Sequence, residues 1–305
     1  MKTEKHFRNV SIMLMGCTLI ALLSLVLTAH GQEPGASLLA PGAKVKKLAG
    51  DFSFTEGPAD DGKGNIYFTD IPNNRIHKWS RDGKLSTFLE GSEAANGLIF
   101  DENGKLLACR HGSRSVVSID MNRTITTLAD EYRGKKLNSP NDLWIDPSGG
   151  IYFTDPRYGN RDNLEQDGEH VYYLSPDQAS LSRVIDDFVR PNGIIGTPDG
   201  KTIYVADNGA NMTYSYRIGA GGSLSGKREF APVGSDGVAL DEKGNLYLTG
   251  DAVVIYSPRG RLLEKIEVPE RPSNVCFGGK DGKTLFITAR TSLYSVRMTV
   301  GAAKR

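Results

Sequence analysis

Three cysteines in 305 residues are too few to staple a disulfide-rich scaffold. Cys109 and Cys276 fall in apolar, strand-like runs, Leu106 to Cys109 and Val275 to Phe277, where packed core thiols are expected. Neither a Cys-x-x-Cys pair nor a His-Glu-x-x-His stretch occurs, so the common zinc frameworks are missing. The absence of a Gly-x-Ser-x-Gly elbow argues against a serine esterase. Charge of one sign is not in excess either. With 37 Lys and Arg against 36 Asp and Glu, the chain has no electrostatic footprint for nucleic acid and suits a small neutral or weakly charged ligand. Between Val45 and Met298 no amphipathic helical period is found, and no Ser/Pro/Gly-rich stretch or charge run divides the sequence. One all-β domain is the simplest organisation.

What is present begins with a leader. Lys2, Lys5 and Arg8 precede an apolar run from Ile12 to Ala29, and the small-residue pattern Ala29, His30, Gly31 follows. That layout is a secretory signal peptide over residues 1–31, with the mature chain starting near Gln32 and a short linker over residues 32–42. The rival reading is an uncleaved anchor, because the run approaches the length of a spanning helix. Cys17 is poorly placed for a lipoprotein, since most of the apolar run lies after it. The protein is therefore expected to be secreted or periplasmic, without stable membrane association once the leader is removed.

Over residues 43–300 one pattern recurs six times: a polar residue, an apolar strand, a glycine turn and a second apolar strand. The copies begin at Glu56, Asn96, Asn141, Asn192, Asp236 and Asn274. Eight positions after each stands a glycine: Gly64, Gly104, Gly149, Gly200, Gly244 and Gly282. Second strands are expected at Ile66 to Thr69, Leu106 to Cys109, Ile151 to Thr154, Ile203 to Ala206, Leu246 to Thr249 and Leu285 to Ala289. Further alternating segments follow in each unit, which makes four short strands per repeat. Four strands at a period of about 38 to 50 residues is a propeller blade, and six units predict a six-bladed β-propeller. The segment Ala43 to Ala49 would supply the outer strand of the last blade. A β-helix or an open double sheet is the alternative, and neither explains the constant offset as naturally.

In a propeller the first strand of each unit lines the central channel, so the six repeat-start residues form a ring at one mouth. Asn or Asp before Gly is also a turn signal, but Glu56 is a poor turn residue and the set as a whole crowds one channel with oxygen donors. Oxygen-only ligation suits a hard divalent cation, with Ca²⁺ first and Mg²⁺, Mn²⁺ or Zn²⁺ as alternatives; zinc is the poorest fit without His or Cys. Two carboxylates would neutralise such an ion. The second strand returns to the same mouth, which adds Asp70, Arg110, His111, Asp155 to Tyr158, Asp207, Asn208, Asp251 and Arg290 around it. Pro156 to His170 is the longest such connection, and it offers Arg157 and Tyr158 as substrate contacts. His111 could shuttle protons, although a lone histidine is more often structural.

Thr55-Glu56-Gly57-Pro58, Ser139-Pro140-Asn141-Asp142, Arg190-Pro191-Asn192-Gly193, Ser235-Asp236-Gly237, and Phe277-Gly278-Gly279 through Thr291-Ser292-Leu293-Tyr294 occur in order. Together they resemble the gluconolactonase family that includes regucalcin (senescence marker protein), and Asp155-Pro156-Arg157-Tyr158-Gly159 is most similar to its bacterial lactonase branch. The resemblance runs from about Leu48 to Val296. It implies a six-bladed propeller with one catalytic divalent metal on Glu56, Asn141, Asn192 and Asp236, and hydrolysis of a gluconolactone-like lactone or related ester. Asp236 would orient or deprotonate water, while Asn96, Arg110, His111, Arg157 and Tyr158 would contact substrate. Animal members carry an arginine two places before the third-blade Asn; Ser139 stands there instead, which leaves the sugar preference open. Diisopropylfluorophosphatase shares this kind of metal ring, so a phosphotriesterase or fluorophosphatase is the alternative, and a non-enzymatic ligand-binding propeller the second.

Overall fold

The glycine that follows each repeat start by eight positions adopts positive φ in all six copies, between 66° and 92°. Glycine enters this region without steric cost, so each one reverses the chain between the first two strands of its unit. In units one, two, three and five an aspartate three residues earlier closes the turn. Asp61, Asp101, Asp146 and Asp241 each accept backbone N–H bonds from the second and fourth residues beyond them. The local turn chemistry thus produces the hairpin before any packing is considered.

The computed structural model describes residues 37–304. The expected signal peptide over residues 1–31, with its rival anchor reading and Cys17, lies outside the described residues, as do residues 32–36 of the linker. Among the described residues, six four-stranded antiparallel sheets form six blades, and the helical content is one three-residue 3-10 turn, Ala220–Gly222. From the channel outward, blade one is Thr55–Asp60, Ile66–Asp70, Arg75–Trp79 and Leu85–Glu90. The other blades repeat the order. In the sixth, Lys46–Ala49 pairs antiparallel with Ser292–Arg297 as the outermost strand, so the ring is joined without a covalent link.

Alternation along each strand builds the core between blades rather than within them. Ile66 and Phe68 face the sixth blade with Phe286 and Leu293, whereas Tyr67 between them faces the second blade with Leu98 and Phe100. In blade three, Ile151 and Phe153 face blade two and Tyr152 faces blade four. The buried clusters join each blade to the next and the sixth to the first, so the ring is closed by six apolar seams. Cys109 is fully buried in the seam between blades two and three; Cys276 is half-buried beside the seam between six and one, and both thiols are free.

Candidate active site

The six repeat-start residues lie on the innermost strands or immediately before them. In blades one, two, four and six the pairing of first with second strand slips at or beside the ring residue, between Glu56 and Ala59, Ala95 and Leu98, Pro191 and Ile194, and Pro272 and Asn274. In blades three and five the regular strand starts only at Leu143 and Val238, after Asn141 and Asp236. A break in the ladder frees a side chain to turn into the channel, the usual service of a bulge beside a functional site.

The glycine after the ring residue is not a turn residue. A Cβ on Gly57 would meet the Asn96 carbonyl oxygen at 2.1 Å, one on Gly97 the Asn141 carbonyl oxygen at 2.6 Å, and one on Gly237 the Asn274 side chain at 2.0 Å. Each glycine therefore marks where one inner strand presses against the ring residue of the next blade. Backbone bonds complete the junctions, with the Gly97 N–H donating to the Asn141 carbonyl at 2.8 Å and the Gly193 N–H to the Ser235 carbonyl at 3.3 Å.

Side chains pair around the ring. Glu56 is buried and accepts from Asn274 Nδ2 at 2.9 Å and from the Gly57 N–H at 2.7 Å. Asn192, also buried, donates through Nδ2 to the Asp236 carboxylate and to the Tyr158 hydroxyl, the latter at 2.7 Å, while its Oδ1 has no partner. Asn96 Nδ2 lies 3.2 Å from His111 Nε2. Tyr158 reaches in from the long third-blade connection, accepts a second bond from Asn208 at 3.3 Å, and carries the Arg190 guanidinium over its ring at 5.2 Å. Asp236 is half-buried and lines a cavity of about 350 Å³ with Phe54, Tyr158, Thr249, Arg271 and Arg290.

Three carboxylates oppose one another in this channel. Burial raises Glu56 well above the ordinary carboxylate range, and the charges of Asp236 and Asp142 add to that despite the bonds from Gly57 and Asn274. Burial pushes Asp142 up to about 7, with Asp236 contributing, against bonds from the Leu143 and Ile194 amides. Asp236 is raised by burial too, but Asn192, Arg271 and Arg290 pull it back. Burial lowers His111 to about 4, and the Arg157 charge adds to the effect, so at neutral pH it is an uncharged imidazole. Burial and the Asp236 charge lift the Tyr158 phenol to about 12. Asp142 escaped the sequence reading. Its signal was its place directly after a ring residue, where four other copies have glycine.

A group of opposed carboxylates with an unpartnered amide oxygen on Asn192 matches the needs of a hard divalent cation, which are oxygen donors and two or three negative charges. Among the described residues there is no cluster of three His, Cys, Asp or Glu side chains preset at metal-binding distances. The donor set is mixed carboxylate and carboxamide.

Several residues expected around the mouth do a different job. Asp70 accepts from the Ser53 and Phe54 amides, Asp155 from those of Asn138 and Ser139, and Asp207 from those of Val189 and Arg190. In every case these are the residues three and two places before the ring residue. The aspartates are clasps that fix the entry into the inner strand. Arg110 occupies the corresponding place in blade two with reversed polarity, its guanidinium donating to the Ser92 carbonyl at 2.9 Å and to that of Gly91 at 3.4 Å. It is buried and committed to backbone. Arg157 bonds Asn163 at 3.0 Å within its own loop, and its charge is felt at His111. Ser139 donates to the Pro156 carbonyl at 2.6 Å, so it anchors the third-blade connection. Arg271 lines the cavity, although its sequence surroundings did not single it out.

The sequence and fold both have known counterparts. A family model described as the SMP-30/Gluconolactonase/LRE-like region matches residues 54–291. The chain is 32% identical over 289 residues to a gluconolactonase of Zymomonas mobilis, covering 83% of this chain and 81% of that protein. It is 27% identical over 237 residues to regucalcin of Danio rerio, covering 74% and 78%. The solved structure of a gluconolactonase from Xanthomonas campestris superposes with a TM-score of 0.81 at 30% identity, over 86% of this chain and 91% of that one.

Proposed function

The chain belongs to the SMP-30/gluconolactonase/LRE-like family, and from that premise we propose that it is an exported lactonase using one divalent metal held by Glu56, Asn141, Asn192 and Asp236. The observation that carries the reading is the mutual opposition of the Glu56, Asp142 and Asp236 carboxylates in the channel, with Asn192 bonded to Asp236 and its Oδ1 left without a partner. Ca²⁺ suits this oxygen-only set best. Held there, a divalent cation would supply Lewis-acid chemistry to an ester carbonyl.

The chain's own groups do the rest. Asp236 is the ring carboxylate with solvent access, and Asn192 fixes its orientation, so it takes the proton of the attacking water. Water oxygen adds to the lactone carbonyl carbon, the ring carbon–oxygen bond breaks, and the departing alkoxide receives that proton to give the hydroxy acid. Tyr158 accepts bonds from Asn192 and Asn208, which leaves its own O–H to donate to a substrate oxygen, and its raised pKa keeps that proton in place at neutral pH. The neutral His111 accepts from Asn96 and thereby orients the Asn96 carbonyl within the ring. Since Ser139 is spent on Pro156, sugar hydroxyls must be read by other groups.

The decisive test is a panel of aldonolactones, aliphatic lactones and organophosphates assayed for the wild type and Asp236→Ala. A loss of about 10²- to 10⁴-fold in lactone turnover by a folded variant supports the assignment. Undiminished turnover by that variant, or organophosphate hydrolysis without lactone hydrolysis, overturns it. Export is tested separately by sequencing the N-terminus of protein recovered outside the cytoplasm, which should begin near Gln32.

A further inference from the structure

The geometry points to Arg271 and Arg290 as a subsite for an acidic substituent on the substrate, so that the preferred lactone carries a second, anionic group such as a carboxylate. The inference rests on the lactonase reading for the identity of the ligand, but its evidence lies outside the metal ring.

Both arginines line the cavity that contains Asp236. Burial sets the depth of its walls: Thr249 and Ser273 are buried, Asp236 is half-buried, and Arg271 and Arg290 are exposed. A lactone whose carbonyl lies beside Asp236 therefore presents its far end to the two guanidinium groups. Charge favours the same outcome. The residues lining this cavity include two cationic side chains, Arg271 and Arg290, against the one carboxylate of Asp236. Among the described residues no carboxylate lies within ion-pair distance of Arg290, and Arg271 is 3.6 Å from Asp251, whose side chain is 95% exposed. So open a pair leaves Arg271 available to a better-placed anion.

The two arginines come from different segments, and a single half-buried anchor holds those segments together. Glu270, next to Arg271, accepts from the Thr291 amide at 2.8 Å, the Thr291 hydroxyl at 2.9 Å, the Ser292 hydroxyl and the Tyr294 hydroxyl at 2.8 Å. Thr291 follows Arg290. The Arg290 guanidinium lies over the Phe54 ring at 5.7 Å, which keeps it at the cavity. Its backbone is costly for an arginine. Arg290 has φ +46° at the first position of the two-residue turn between Ala289 and Ser292, where glycine is the usual occupant.

Arg290→Gly removes the guanidinium while relieving the backbone, so it separates recognition from folding; Arg271→Gln is the companion variant. The probes are glucaro-1,4-lactone, which carries a free carboxylate, and the neutral glucono-1,4-lactone. Wild type should favour the anionic lactone in kcat/KM, with a preference that shrinks as salt rises, and each variant should reduce the anionic-to-neutral ratio by about ten- to hundredfold. A ratio near one in wild type, or one that neither variant changes, overturns the subsite while leaving the lactonase reading intact. Calorimetric binding of glucarate against gluconate supplies a readout independent of turnover. If neither lactone is hydrolysed but glucarate binding is selectively lost in the variants, the lactonase reading fails and the subsite stands; equal binding of the two acids overturns the subsite.

Discussion

Replacing Glu270 with Gln should destabilise the sixth blade in a pH-dependent way that is set by one carboxylate. Its side chain is 22% exposed and sits 3.8 Å from Lys47 of the closing strand. Burial alone would raise its pKa, but hydrogen bonds from Ser292, Thr291 and Tyr294 outweigh that and bring it down from 4.5 to about 2. At about 1.4 kcal/mol per unit, and discounted for the exposed edge, the charged form contributes about 2–3 kcal/mol. The folded pKa is depressed, so this stabilisation is fully present above about pH 4.5 and disappears as pH falls through about 2. Gln keeps the shape and one acceptor but loses the charge. Thermal or urea unfolding of chelated wild type and Glu270→Gln across pH 2 to 8 should show a constant gap above pH 5, equivalent to roughly 5–10 °C. The gap should close towards pH 2. Equal stability at pH 7 would refute the reasoning, and a gap that persists unchanged to pH 2 would show that packing, not the charged acceptor, is responsible. The same variant should weaken the preference for an anionic lactone, because Glu270 holds together the segments that bear Arg271 and Arg290.

The remaining expectations concern the clasps, the ring and the metal. Asp207→Ala strips the acceptor from the amides of Val189, Arg190, Gly209 and Ala210 and should cost about 2–4 kcal/mol in urea unfolding, whereas Asp207→Asn should recover part of that. Gly237→Ala drives a methyl to 2.0 Å from the Asn274 side chain and 2.5 Å from its Cα, so it should cost about 3 kcal/mol or more and lower the yield of soluble protein. Gly250→Ala meets nothing within 4 Å and should express and melt like wild type. Chelation should abolish lactone turnover, with Ca²⁺ restoring it and Mg²⁺ or Mn²⁺ following; full activity in metal-free protein would refute the ring as a metal centre.

The blade pattern was legible because its determinants are local. A strand needs alternating apolar residues, a hairpin needs a glycine at positive φ with an Asx turn before it, and both are written within a dozen consecutive positions around Gly64, Gly104 or Gly244. Six copies at similar spacing then required a closed ring, and equivalent starts required Glu56, Asn96, Asn141, Asn192, Asp236 and Asn274 to meet at one mouth. The meaning of individual residues at that mouth was not legible. The glycine of each Asn-Gly or Asp-Gly pair reads locally as a turn former, yet Gly97 and Gly237 are small because another blade's backbone or side chain lies against them. Asp70, Asp155 and Asp207 read as residues surrounding the metal from outside, yet their carboxylates are taken by amides of the preceding segment. Arg110 reads as a cation for substrate, yet it faces two carbonyls that only the fold brings near.

From the sequence alone came the repeat, the strands, the turns and the ring positions, all governed by neighbours along the chain. The tertiary structure decided which polar atoms the backbone had already consumed. Glu56 meets Asn274 across 218 positions, and the Arg271 and Arg290 segments meet through Glu270; such contacts depend on how six blades close, which no local window encodes.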